Sequence, residues 1–222
     1  MNFLMIKIKS SDIVEFVGTF FLTAVVIGSG IMAENLSQGN DAVALLGNTI
    51  STGAILFVLI KSFSSISGAH FNPIVSFIFL IKKELTFPTF LKYITCQFLG
   101  ALLSVVVVHY YFDLQLIQIS SNFRGKEKLL ISELVATFGL LTTILFVRKY
   151  NPNDVAAAVA LFITAGYWFT SSTSFANPAV TIARIFTDSF SGIHPGSVIY
   201  FLFGQITGGV LAFYFFKYLY ND

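Results

Sequence analysis

Apolar residues run along this chain in long blocks separated by short polar breaks, and the block lengths predict its architecture. The blocks run from about Ile13 to Met32, Val43 to Ile60, Phe90 to Tyr111, Leu129 to Val147, Val155 to Phe169 and Pro195 to Tyr220. Most approach the ~20 residues that carry a helix across a hydrocarbon core. Glu34 and Asp41 follow the first block, Lys61 closes the second, and Arg148 to Asp154 forms a turn after the fourth. Two further apolar segments are too short to span. Ile74 to Ile81 stops at Lys82, Lys83 and Glu84, and Val180 to Phe186 stops at Asp188. Each follows an Asn-Pro pair set behind a loop of small residues. Asn is a strong N-cap and Pro is at home in the first helical position, so both segments read as half-helices.

The two half-helices sit in related surroundings, Ser67-Gly68-Ala69-His70-Phe71-Asn72-Pro73-Ile74-Val75 and Ser174-Phe175-Ala176-Asn177-Pro178-Ala179-Val180. One Asn-Pro before an apolar run is an ordinary capped helix. Two in matching places of two similar halves point to a permeation or binding site inside a membrane protein. Other features repeat in the same order: Glu15 and Glu133 just inside the first and fourth spans, then Gln97-Phe98-Leu99-Gly100 and Gln205-Ile206-Thr207-Gly208 in the third and sixth. Three spans per repeat is an odd number, so the second half enters the bilayer from the opposite face. The predicted fold is therefore an all-α integral membrane protein of six transmembrane helices and two re-entrant half-helices, related by an inverted internal repeat. It forms one domain over 1–222, with a first repeat of about 1–112, a connecting loop of about 113–128 and a second repeat of about 129–222.

Composition agrees with this reading. The chain is 55% hydrophobic and 11% charged, against roughly 25% charged in an average soluble domain. A net charge of +2 with scattered Lys and Arg excludes the basic stripe of a nucleic-acid binder. Lys7, Lys9, Lys82, Lys83, Arg148, Lys149 and Lys217 fall on one side of the expected topology, which the positive-inside rule makes cytoplasmic, with both termini. Arg124, Lys126 and Lys128 fall on the other side, partly offset by Asp113 and Glu127. The basic residues ahead of the first block resemble a signal peptide, but the length of that block favours a retained span. The single cysteine, Cys96, is expected to be a packing residue.

Two facing half-helix N-termini present unpaired N–H groups and positive dipole ends to one point of a water-filled path. Cations are repelled there. Asn72 and Asn177 supply amide donors for a passing hydroxyl oxygen, so a neutral hydroxylated solute suits the chemistry. The paired motifs, glutamates and Gln-x-x-Gly segments resemble the aquaporin, or major intrinsic protein, family across essentially the whole chain. The resemblance implies a homotetramer with one pore per subunit and passive flow of water or small neutral solutes, without cofactor or metal. It also implies that Glu15 and Glu133 brace the re-entrant loops.

Two positions depart from the family pattern. Ile74 stands where the family usually has Ala, and Val180 where it usually has the arginine of its narrowest ring. By the same resemblance the other ring positions are Thr52, Ala165 and Ser174, with Gly166 the neighbouring candidate. Such a ring is wide and only weakly polar, which favours solutes larger than water. Glycerol-like polyols lead, and undissociated metalloid hydroxides such as arsenite follow, since some bacterial channels of the family with a valine-type filter are linked to arsenic handling. A water-selective pore is the alternative.

Arg184 lies seven residues after Asn177, about 10 Å along a helix on nearly the same face. It is a candidate for the outer pore mouth, set against pairing with Asp188 at helical spacing. His70 is a candidate gate at the inner side of the pore, while His109 and His194 are expected at the interface. The sequence holds no nucleophile paired with a base, metal cluster or phosphate loop, so a membrane enzyme lacks its parts. An ion-coupled transporter shares the inverted repeat and broken helices, and a scaffold role is a further rival.

Overall fold

The computed structural model describes residues 8–220, so Lys7 lies outside the described residues. Eight α-helices follow in order: α1 Ser10–Leu36, α2 Asp41–Ser67, α3 Pro73–Ile81, α4 Phe87–Tyr111, α5 Glu127–Tyr150, α6 Val155–Phe169, α7 Pro178–Ala183 and α8 Pro195–Tyr220. Five of them, α1, α2, α4, α5 and α8, are long and apolar enough to cross a bilayer. Helix α6 completes the six at 15 residues, about 22 Å of rise, lengthened by a 3₁₀ turn at Pro152–Asp154. The predicted half-helices are present as α3 and α7. The second is shorter than expected, because the chain tightens into a 3₁₀ turn at Arg184–Phe186.

Local chemistry sets these boundaries. The side chain of Asn72 accepts from the N–H of Ile74 at the start of α3, and that of Asn177 accepts from Ala179 and Val180 at the start of α7. Each half-helix has proline in its first turn, where a missing N–H costs nothing. Gly68 ends α2 in the left-handed conformation, with φ 87°, as a helix-terminating glycine does.

Helix α1 packs on α4 and α2, and α5 packs on α8 and α6, with α2 against α6 joining the halves. The glycines of the two Gln-x-x-Gly segments make the main crossings possible. A Cβ at Gly100 would lie 2.3 Å from the Phe16 carbonyl oxygen of α1, and one at Gly208 would lie 2.4 Å from that of Leu134 in α5. No side chain fits at either contact. Half-helices α3 and α7 each lie against both α4 and α8 and touch each other, so the re-entrant segments fill the space between the two repeats.

One end of the molecule gathers basic residues. Arg148 and Lys82 both meet Glu84, at 2.5 and 3.3 Å, while Lys82 and Lys149 lie over Phe216 and Tyr220 near the end of α8. Lys92 pairs with Asp12 at 3.8 Å at the start of α1. The opposite end holds the connection between the repeats, which folds back on the chain after α7. Ser120 donates its N–H to Ile185, His194 donates its own to Asn122, and Asp188 accepts both the N–H and the hydroxyl of Ser121. His109 departs from its expected interfacial place. It is wholly buried between the Leu116 carbonyl and the Thr187 hydroxyl, tying α4 to this folded connection. His194 is half-buried against Phe123.

Candidate functional site

The site is built from the two re-entrant loops, and both are held in a conformation side chains resist. Ala69 and Phe71 in the first loop have φ of 52° and 48°, and Ser174 and Ala176 in the second have 51° and 46°. Left-handed backbone costs a non-glycine residue roughly 1–3 kcal/mol and persists only where its surroundings hold it. The surroundings here are the two buried glutamates. The Glu15 carboxyl accepts from the Ser67 hydroxyl at 2.6 Å, from the N–H groups of His70 and Phe71 at 2.9 and 2.7 Å, and from the Gln97 amide at 2.8 Å. Glu133 accepts from the N–H groups of Phe175 and Ala176 at 2.9 and 2.8 Å and from Gln205 at 2.7 Å. Gln97 also donates to Ser76 on α3, and Gln205 to Thr181 on α7. The two halves thus repeat one network of glutamate, glutamine and loop N–H groups.

The loops meet through their asparagines. Asn72 Nδ2 donates to the Ala176 carbonyl at 2.7 Å, and Asn177 Nδ2 donates to the Phe71 carbonyl at 2.9 Å. Each amide has two hydrogens, so one is committed to the opposite loop and the other is left for the space between. Both asparagines line a cavity of about 250 Å³ that runs from Glu84, Leu85 and Arg148 at the basic end, past His70 and the asparagines, to Val180 and Arg184. Leu22, Val26, Leu56, Ile60, Val159 and Ile163 form an apolar wall facing the loops.

The sequence-derived ring is only partly brought together. Thr52, Ser174 and Val180 line the cavity. Ala165 does not: it is exposed and lies off the cavity, because the lining stripe of α6 is Val155, Val159, Ile163 and Tyr167, four residues apart. Gly166 is buried and closed off, since a Cβ there would sit 2.6 Å from Ser174 Oγ. The α6 residue on the cavity at this level is Tyr167, whose hydroxyl lies 3.1 Å from that of Thr52. Counting from a distant asparagine missed it, whereas the four-residue stripe would have found it. The ring therefore carries one aromatic phenol among its small residues.

Ile74 points elsewhere. It is 2% exposed, and its Cγ1 fills the place of the Cβ that Gly209 lacks, 2.7 Å from where that atom would be. The bulkier residue is absorbed between α3 and α8 and leaves the cavity alone. Arg184 forms no ion pair with Asp188 among the described residues. Arg184 is 2% exposed and lines both the central cavity and a vestibule of about 520 Å³. Its Nε donates to the Ser191 carbonyl and its guanidinium stacks on Phe175, 3.5 Å from the ring centroid. His70 lines the cavity nearer the basic end, with Nδ1 3.0 Å from Ser76 Oγ and its ring against Phe79 and Tyr93. Two residues with no predicted role also reach these spaces, Arg148 at the basic end and Arg124 in the vestibule.

Six membrane helices, two half-helices meeting at paired asparagines, and a cavity running past them define a membrane channel for small neutral solutes. The chain belongs to the major intrinsic protein family, whose description matches residues 4–153. It is 46% identical over 200 residues to aquaglyceroporin AqpS of Rhizobium meliloti (strain 1021), covering 90% of this chain and 85% of the relative. It is 27% identical to probable aquaporin TIP2-2 of Oryza sativa subsp. japonica, over 94% of this chain and 86% of that one. Among solved structures, the aquaglyceroporin from Plasmodium falciparum shares the fold, with a TM-score of 0.74 at 22% identity over 93% of this chain and 94% of that chain.

Proposed function

We propose that the chain conducts glycerol-like polyols, and by the same chemistry undissociated metalloid hydroxides, down their concentration gradients. The carrying observation is the two-sided cavity. Its apolar wall, from α1, α2, α5 and α6, faces the backbone of the re-entrant loops and the two asparagine amides. A polyol has the matching pattern, with C–H groups along one side and hydroxyls along the other. Water gains nothing from an apolar wall, whereas a small polyol exchanges its hydration for contacts on both sides. The Thr52–Tyr167 hydroxyl pair and neutral Val180 set the outer part of this path, and the resemblance to an aquaglyceroporin at 46% identity supports the reading.

The basic end carrying Lys82, Arg148 and Lys149 is the cytoplasmic one under the positive-inside rule, a reading that sets both termini in the cytoplasm, and the channel works in the plasma or inner membrane. The functional unit is a homotetramer with one pore per subunit. Stopped-flow light scattering of proteoliposomes tests the solute class. Native protein shrinks vesicles in sucrose and re-swells them in glycerol, and an Asn177→Asp variant loses the re-swelling. Shrinkage without glycerol entry would make this a water pore, and replacing glycerol by arsenous acid extends the test to metalloids.

A further inference from the structure

Two arginines from distant parts of the chain meet where the outer vestibule narrows into the cavity. Arg184 comes from the turn after α7 and Arg124 from the connection between the repeats. Phe175 is their shared neighbour, its ring centroid 3.5 Å from the guanidinium carbon of Arg184 and 5.4 Å from that of Arg124. Both line the vestibule, and Arg184 also lines the central cavity.

Every hydrogen-bond acceptor seen for these guanidiniums is neutral. Arg124 donates from Nε to the Gly192 carbonyl at 3.1 Å, from Nη2 to the Phe190 carbonyl at 3.0 Å and from Nη1 to the Thr173 hydroxyl at 3.4 Å. Arg184 donates from Nε to the Ser191 carbonyl. Neither takes part in an ion pair among the described residues. The vestibule does hold carboxylates, Glu34, Asp41 and Asp188. Glu34 is engaged with the Phe190 N–H at 3.0 Å, and Asp188 with Ser121 at 2.8 and 2.9 Å. An acidic rim concentrates cations at the entrance, and Val180 has no charge with which to stop them.

We propose that Arg124 and Arg184 together are the cation barrier of this channel and set its outer selectivity, a role that rests on the neutral-solute reading above. A guanidinium stays charged under all physiological conditions. At a narrowing with low-dielectric walls its field is screened far less than in open water. Stacking on Phe175 holds the Arg184 plane in place, and the three bonds of Arg124 hold the second charge beside it. Seating the charges outward of Val180 separates two tasks that a single filter arginine would combine. The constriction stays uncharged for bulkier solutes, while cations are turned back at its entrance.

The test uses full-length native protein, Arg184→Gln, Arg124→Gln and Arg184→Lys in proteoliposomes, measuring glycerol re-swelling alongside K⁺ and H⁺ leak by entrapped dyes. Arg184→Gln is expected to raise K⁺ leak about tenfold, equivalent to about 1.4 kcal/mol of barrier, with glycerol still entering. Arg124→Gln raises it less, and Arg184→Lys, which keeps the charge and loses the planar stack, holds it near the native value. Both Gln variants conducting glycerol at native K⁺ leak would overturn the proposal. Should the Gln variants fail to fold, Arg184→Lys decides, because a leak that rises with the charge retained means the barrier is packing. A native protein impermeable to every solute sinks the polyol reading separately, and the K⁺ leak of the variants still judges the barrier.

Discussion

Glu15→Gln exchanges one oxygen for an amide nitrogen at a point where four donors converge. The native carboxyl takes the Ser67 hydroxyl and His70 N–H on one oxygen, and the Phe71 N–H and Gln97 amide on the other. A primary amide supplies one acceptor and two new hydrogens. With its oxygen kept toward Ser67 and His70, the new NH₂ group faces Phe71 and Gln97. Gln97 can rotate, since its Oε1 has no partner in the native protein, although doing so gives up its 3.0 Å bond to Ser76. The Phe71 N–H has no such exit. A buried unmatched donor costs roughly 1–3 kcal/mol, and the two surviving bonds each fall from the charged class, roughly 1.5–3 kcal/mol, to the neutral class, roughly 0.5–1.5. The total is about 3–6 kcal/mol, a large share of a typical domain's stability. At 2–4 °C per kcal/mol this lowers the melting midpoint by roughly 6–24 °C, measurable in detergent by fluorescence-detected size exclusion. Glycerol flux falls with it as the left-handed loop relaxes. Glu133→Gln acts in the same direction through Phe175 and Ala176. A midpoint within about 2 °C of native, with undiminished flux, would show that the glutamates do not hold the loops.

Ile74→Ala leaves a cavity against α8 and costs about 2–5 kcal/mol with polyol selectivity unchanged. Gly209→Ala overpacks the same contact by about 1–3 kcal/mol, and the double variant recovers part of both losses, as a thermal-melt double-mutant cycle reads directly. Tyr167→Ala removes the one aromatic of the ring and admits polyols of four and five carbons that native protein passes slowly, seen as faster re-swelling in erythritol and xylitol. Burial pushes the Glu84 carboxyl up, but hydrogen bonding and charge from Arg148 and Lys82 outweigh it and hold it below its ordinary value. A depressed carboxylate contributes stability that is full above its usual range and lost as pH falls through its lowered value. The contribution of this half-exposed pair is below about 1 kcal/mol, so Arg148→Ala lowers the melting midpoint slightly at pH 7, where the contribution is full, and the difference from native protein fades as pH falls through the lowered Glu84 value.

The spans and half-helices were legible in the sequence because each rests on local chemistry or on repetition, and the bracing role of the glutamates came through the family resemblance. Asn72 and Asn177 announce helix starts wherever they occur, and Glu15 with Gln97 gains meaning from its second copy in Glu133 and Gln205. The outer ring was less legible because it depends on how α6 is rotated, which no motif fixes. Stepping from Ala165 to Tyr167 is a rotation of about 200° around a helix, enough to exchange an outward methyl for an inward phenol. Arg124 was invisible for another reason. Its connection has neither period nor motif, and its place follows from backbone pairing with the segment after α7, a contact between residues about seventy positions apart.

The two departures from the family pattern look alike on paper and differ in kind in the folded chain. Each sits just inside a half-helix that is otherwise matched by its partner, yet only one reaches the cavity. Ile74 is answered by Gly209, so the extra carbons are taken up between helices and the symmetric frame of glutamates, glutamines and asparagines is undisturbed. Val180 lies on the cavity wall. Arg184, which lines the same cavity, and Arg124, which lines the vestibule, both belong to parts the inverted repeat does not duplicate: the turn after α7 and the connection between the halves. The symmetric core thus supplies the path and the reversal of dipoles at its centre, features that need two equal halves. On the reading proposed above, selectivity at the outer entrance is built from the asymmetric remainder, which lies outside that frame.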